Sequence, residues 1–291
     1  MVVFYHCGFG EVYVKTLYSI CCPIFFAVNG YFMLNKKRTT KEIIKKNVKI
    51  LFLMIFWSFT LTSMMMLIRN NFTIYDFARN VFYLGQGYCN HLWFIGALFV
   101  LNLFYLLIVG FIHDSWHNYI LLLLFCILCC LDLPKYLAWQ FNPLSGWFYR
   151  FSLCYFVLGY GLLVYKRFNK IPTSVLILLA ICVYFIKVYS NISMNYDITF
   201  AGYSSFMIMI FTSCILLLFK KFNLKRFEFI EFCSKNSLSI YLLHVPLHFL
   251  VQHFYPNIRC LPFLFGVGVF IVTCFFTKIL IKHRIKYFLT I

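Results

Sequence analysis

About nine long apolar runs, separated by short polar gaps, occupy this chain from end to end. A helix needs roughly 20 mostly apolar residues to cross the hydrocarbon core of a bilayer. In lipid every backbone N–H and C=O must be paired internally, which leaves helices or closed barrels. The runs are continuous rather than alternating in polarity, so helices are expected. They fall near 17–34, 50–68, 92–112, 118–133, 147–165, 173–189, 202–219, 236–254 and 261–281. Residues 1–6 read as the tail end of another span whose beginning is absent. The expectation is an all-α polytopic transmembrane bundle of about ten spans, the first incomplete, forming one membrane domain over residues 1–291. Only 12% of the residues are charged, too few to solvate a globule of this length.

Lys and Arg set the orientation, because cytoplasmic loops hold their excess. Nineteen of the 26 fall in alternate gaps, at 36–49, 166–170, 220–235 and 278–286. Those gaps and the C-terminus are expected on the cytoplasmic side, with His6 towards the outer one. The gap holding His113, Asp114 and His117 belongs with them but has no Lys or Arg. A cleavable signal peptide is not expected: no basic stretch precedes the first long run, and Asn35-Lys36-Lys37-Arg38 follows it like a stop-transfer signal. The protein therefore reads as a multi-pass protein of the cell (inner or plasma) membrane.

The net charge of +18 is scattered among loops, which suits anionic lipid head groups and argues against nucleic acid as a partner. One stretch stands apart. Residues 36–49 hold seven basic side chains, with Lys41, Lys45 and Lys49 at i, i+4 and i+8 on one helical face and Lys46 beside them. Such a row suits either lipid anchoring or a phosphorylated cytosolic ligand. Most of the 13 cysteines lie in spans, where they behave as small hydrophobes. Cys126, Cys129 and Cys130 form C-x-x-C-C without a second ligand pair, so no metal is expected. All eight acids fall in gaps or at span ends, which weakens an ion-coupled transporter.

Four segments carry a resemblance. Pro23-Ile-Phe-Phe-Ala-Val-Asn-Gly-Tyr-Phe32 precedes the basic stretch, and His91-Leu-Trp-Phe-Ile-Gly-Ala-Leu98 opens a later run. Tyr155-Phe-Val-Leu-Gly-Tyr160 and Ser237-Leu-Ser-Ile-Tyr-Leu-Leu-His244 follow. In this order and spacing they resemble the acyltransferase-3 family of integral-membrane acyltransferases. The resemblance implies transfer of an acyl group, usually acetyl, from cytosolic acyl-CoA to a sugar hydroxyl of a surface glycan or its lipid-linked precursor. Acetyl-CoA is then a donor substrate, with no permanently bound cofactor. In that family an Arg stands about ten residues before a catalytic His. His6 takes the His position, whereas only five residues precede it, so the Arg has no counterpart. The N-terminus therefore reads as truncated. Asn29 is a second departure, since many relatives have Ser there.

The chemistry suits His6. A sugar hydroxyl attacks well only when a base within reach takes its proton. Imidazole, with a pKa of about 6.5, is largely neutral at pH 7 and available as that base. Glu11, five residues on, is a candidate to orient it. His91 and Trp93 are candidates for holding the acceptor sugar, with an interfacial belt as the alternative. Arg150 stands just inside a span and is expected to face the interior or snorkel outwards. Asn29 and His244 are further polar candidates for substrate, a buried structural histidine being the alternative for His244. Lys45, Lys46 and Lys49 are the choices for the CoA phosphates, by charge and by family analogy. Asn29, Gly30, Gly96, Gly159 and Gly161 are expected to line a route through the bundle. A glycan or lipid transporter and an inactive truncated copy are the competing functions.

Overall fold

The computed structural model describes residues 12–36, 38–69, 74–75, 78, 92–114, 116–130, 147–193, 206–222, 227–255 and 262–283. Among these there is no strand. The helices are α1 (Val12–Tyr18), α2 (Cys21–Leu34), α3 (Thr40–Arg69), α4 (Trp93–Asp114), α5 (Trp116–Cys130) and α6 (Trp147–Val164). A 3-10 turn, Lys166–Lys170, leads to α7 (Thr173–Ser193), α8 (Phe206–Lys221), α9 (Glu228–Lys235), α10 (Ser237–Phe254) and α11 (Pro262–Lys282).

Each of the nine complete apolar runs coincides with a described helix, while residues 1–6 lie outside the described residues. Among the described residues, four stretches are long and apolar enough to cross a bilayer: Val12–Leu34, Thr40–Met64, Thr173–Ser190 and Phe263–Lys282. The apolar helices Trp93–Val109, Trp116–Ile127, Ser152–Val164 and Ser237–Val251 are shorter, so a total near ten does not follow from length. On α7, Leu178, Phe185 and Tyr189 are exposed, as side chains facing lipid are.

Proline marks where helices begin. Pro23 lies in the first turn of α2, Pro262 opens α11, and Pro172 stands just ahead of α7. The missing N–H has no intrahelical partner to lose at such positions. Pro246 is different, because it lies inside α10. There it removes the hydrogen bond to the Leu242 carbonyl and favours a bend.

The basic stretch read as a polar gap is largely helix. α3 runs without interruption through all 30 residues from Thr40 to Arg69. It contains no Gly or Pro, and at 1.5 Å per residue it is about 45 Å long, against about 30 Å of hydrocarbon. A membrane surface ends an apolar run without ending the helix, and Lys, Glu and Ile are all compatible with helix. Glu42 in the first turn suits the positive end of the helix dipole. One face buries Ile43, Ile50, Leu53, Met54, Trp57 and Leu61, while Val48, Phe52 and Phe59 point outwards.

The chain falls into two compact units, one of residues 11–40 and 100–224 and the other of residues 1–10, 41–99 and 225–291. In the first, α2 and α6 meet backbone to backbone. A Cβ added at Gly30 would overlap the Phe156 carbonyl, and one at Gly159 would overlap the Ala27 backbone. A Cβ at Gly161 would run into the Tyr119 hydroxyl of α5. These three glycines therefore serve helix contact, and the expectation that they line a route is corrected: small residues let helices close, and here they have closed. The Tyr184 hydroxyl of α7 donates to the Tyr13 carbonyl of α1 at 3.1 Å, and the Tyr184 ring lies 6.1 Å from Phe211 of α8. Lys220 Nζ donates to the Leu162 carbonyl in the last turn of α6 at 3.1 Å, and Lys221 Nζ donates to the Ile171 carbonyl. Two of the cations in the alternate basic gaps thus satisfy carbonyls at element ends.

In the second unit, Ile240 of α10 and Phe265, Val269 and Cys274 of α11 form one cluster, with Phe232 and Cys233 of α9 packed on it. α9 has no buried residue. Its Glu231 and Lys235, one turn apart, form an ion pair at 2.6 Å.

Candidate functional site

The four motif segments meet in pairs, each pair inside one unit. Pro23–Phe32 lies on α2 and Tyr155–Tyr160 on α6, the two helices joined through Gly30, Phe156, Ala27 and Gly159. Trp93 and Phe94 open α4, and their partner segment lies in α10: the Phe94 ring is 5.0 Å from that of Tyr241. Trp93 packs edge-on against Phe94 at 6.0 Å, and Tyr241 lies 5.6 Å from His244. A chain of ring contacts therefore leads from Trp93 to His244. Such tilted and edge-on pairs suit the aromatic quadrupole.

His244 is wholly buried. Its Nδ1 stands 2.5 Å from the Tyr241 carbonyl. A carbonyl only accepts, so Nδ1 carries the proton and donates it. One bond to the backbone of its own helix fixes both tautomer and ring plane. Asn29 behaves similarly: its Nδ2 donates to the Phe25 carbonyl at 3.1 Å, which occupies one of its two amide hydrogens.

The lysine row stands on the first turns of α3. Lys41 and Lys45 are exposed, while Lys46 and Lys49 are partly covered. On the opposite side, Ile43, Asn47 and Ile50 are buried. Like charges at i and i+4 repel by a few tenths of a kcal/mol per pair. Cations are also unfavourable near a helix N-terminus, where the dipole is positive. Glu42 stands three and four residues before Lys45 and Lys46, and a bound anion would lessen both penalties further.

His6, Glu11 and His91 lie outside the described residues, and for Arg150, in the first turn of α6, only the backbone is described. Several buried polar residues escaped the sequence reading. Asn47, Ser58 and Thr62 on α3 and Thr277 on α11 are all at least nine-tenths buried, and their side-chain polar atoms meet no hydrogen-bond partner among the described residues. Thr60, Ser213 and Thr273 instead bond back to the carbonyl four residues earlier. The available signal was a spacing: Ser58 and Thr62 stand one turn apart in an apolar helix.

The sequence profile of the acyltransferase domain family, acyltransferase 3, matches residues 1–281. No curated protein and no solved structure matches the chain.

Proposed function

This chain belongs to the acyltransferase-3 family, and on that premise we propose that it is an integral-membrane O-acyltransferase. It moves an acyl group, with acetyl the first choice, from cytosolic acyl-CoA to a sugar hydroxyl of a cell-surface polysaccharide or its lipid-linked precursor. The observation that supports a CoA-type donor is the lysine row of α3, which gathers Lys41, Lys45, Lys46 and Lys49 at one end of a helix with Lys41 and Lys45 exposed. Lys45, Lys46 and Lys49 hold the CoA phosphates in this reading.

The step balances simply. His6 takes the proton of the acceptor hydroxyl as its oxygen attacks the thioester carbonyl. The C–S bond breaks, the CoA thiolate leaves, and the proton held by His6 passes to that sulfur. The products are a sugar ester and free CoA. Glu11 orients His6. His91 and Trp93 hold the acceptor ring, and Asn29, Arg150 and His244 supply polar contacts to substrate.

Mass spectrometry of surface glycans from cells with and without the protein tests the reading. Loss of glycan acetylation on His6→Ala, with protein level and glycan export preserved, is the expected result. Loss of export would instead favour a transporter. Unchanged glycans with and without the protein would favour an inactive copy.

A further inference from the structure

We propose that Arg38, held in place by Tyr105, binds a phosphate group at the turn that follows α2. Tyr105, on α4, is only 1% exposed. Its hydroxyl accepts from the Arg38 backbone N–H at 2.8 Å and donates to the Lys36 carbonyl at 2.9 Å. A phenol has one proton to give and lone pairs to accept with, and Tyr105 commits both capacities to this one turn. The Asn35 N–H closes the end of α2 on the Tyr31 carbonyl at 3.0 Å. The main chain is thereby fixed at Asn35, Lys36 and Arg38.

That fixed turn presents an unmet donor. Arg38 Nε is shut off from solvent and has no acceptor among the described residues. A guanidinium N–H left this way is costlier than an orphaned hydroxyl, because it belongs to a full charge. The guanidinium fork matches the oxygens of a phosphate, and Lys36 and Lys37 beside it in sequence favour a multiply charged anion over a carboxylate. A phosphate comes here from one of two sources, a nucleotide-type ligand or a lipid head group. The nucleotide arm rests on the acyl-CoA reading, because adenosine 3′,5′-bisphosphate is the nucleotide half of CoA, whereas the lipid arm stands without it.

The test uses the full chain in nanodiscs. In phosphatidylcholine alone, adenosine 3′,5′-bisphosphate is titrated. In phosphatidylcholine with phosphatidylglycerol, the retained anionic lipid is counted by native mass spectrometry. With a nucleotide-type source, Arg38→Gln weakens bisphosphate binding by about ten- to hundredfold. With a lipid source, the same variant loses retained phosphatidylglycerol and leaves nucleotide affinity unchanged. Arg38→Lys keeps the charge without the Nε–H and restores only part of the binding; it carries the test if Arg38→Gln fails to fold. Tyr105→Phe weakens the same binding by about three- to tenfold. Combined with Arg38→Gln it adds nothing further, because Tyr105 acts through Arg38. Unchanged nucleotide and lipid binding in the Arg38 variants overturns the site, and a full additional loss from Tyr105→Phe overturns the positioning role.

Discussion

Gly30 of α2 stands so close to the Phe156 carbonyl of α6 that no Cβ fits between them. The obstacle is backbone, which cannot rotate away as a flexible side chain would. Gly30→Ala is expected to destabilise the protein by about 3 kcal/mol, and Gly159→Ala, facing Ala27, by a similar amount. Gly268→Ala on α11 is the control, since a Cβ there meets nothing within 4 Å. Its expected effect is neutral to stabilising by up to about 1 kcal/mol. Thermal unfolding in detergent compares the three, and equal melting temperatures would count against the contact.

Ser58 and Thr62 offer the opposite sign. Each buries a hydroxyl with no partner among the described residues. Ser58→Ala and Thr62→Val keep shape and remove the desolvated group, so each is expected to raise stability by about 1 kcal/mol. Thr60→Val, which breaks a back-bond to Phe56, supplies the contrast and should not stabilise.

For the lysine row, stability and binding should move apart. Lys45→Gln relieves repulsion from Lys41 and Lys49 within α3 and is expected to raise helix stability by a few tenths of a kcal/mol, with Lys49→Gln changing it by no more than that. The same changes should raise the KM for acetyl-CoA about two- to fivefold and flatten its dependence on salt. A donor KM that stays put across these variants would leave the row to lipid anchoring.

Phe94 and Tyr241 should be energetically coupled. Their rings are 5.0 Å apart, and a double-mutant cycle with Phe94→Leu and Tyr241→Leu is expected to return about 0.5–1.5 kcal/mol of interaction. Additive losses would show that the α4 and α10 motifs fold past one another without support.

How much of this was legible beforehand depended on whether the signal was local. Helix positions were, because each complete apolar run became helix. Pairing was not. Gly30 and Gly159 look alike whether they line a passage or close a contact, and only the opposing Phe156 and Ala27 decide it. Nor did the sequence tell which hydroxyls bond back, since Ser213 and Thr212 are neighbours on α8 yet only Ser213 reaches the carbonyl four residues before it. The basic stretch after α2 lies outside the apolar runs because charge ends hydrophobicity, yet its lysines at i, i+4 and i+8 fit the helix that continues to Arg69.

The unbroken length of α3 makes it a stiff mast. With no flexible joint between Thr40 and Arg69, whatever leans the lipid-embedded part also swings the cationic collar at its foot. A thinner or thicker bilayer, by changing that lean, would then reset the height of Lys41 and Lys45 above the membrane surface.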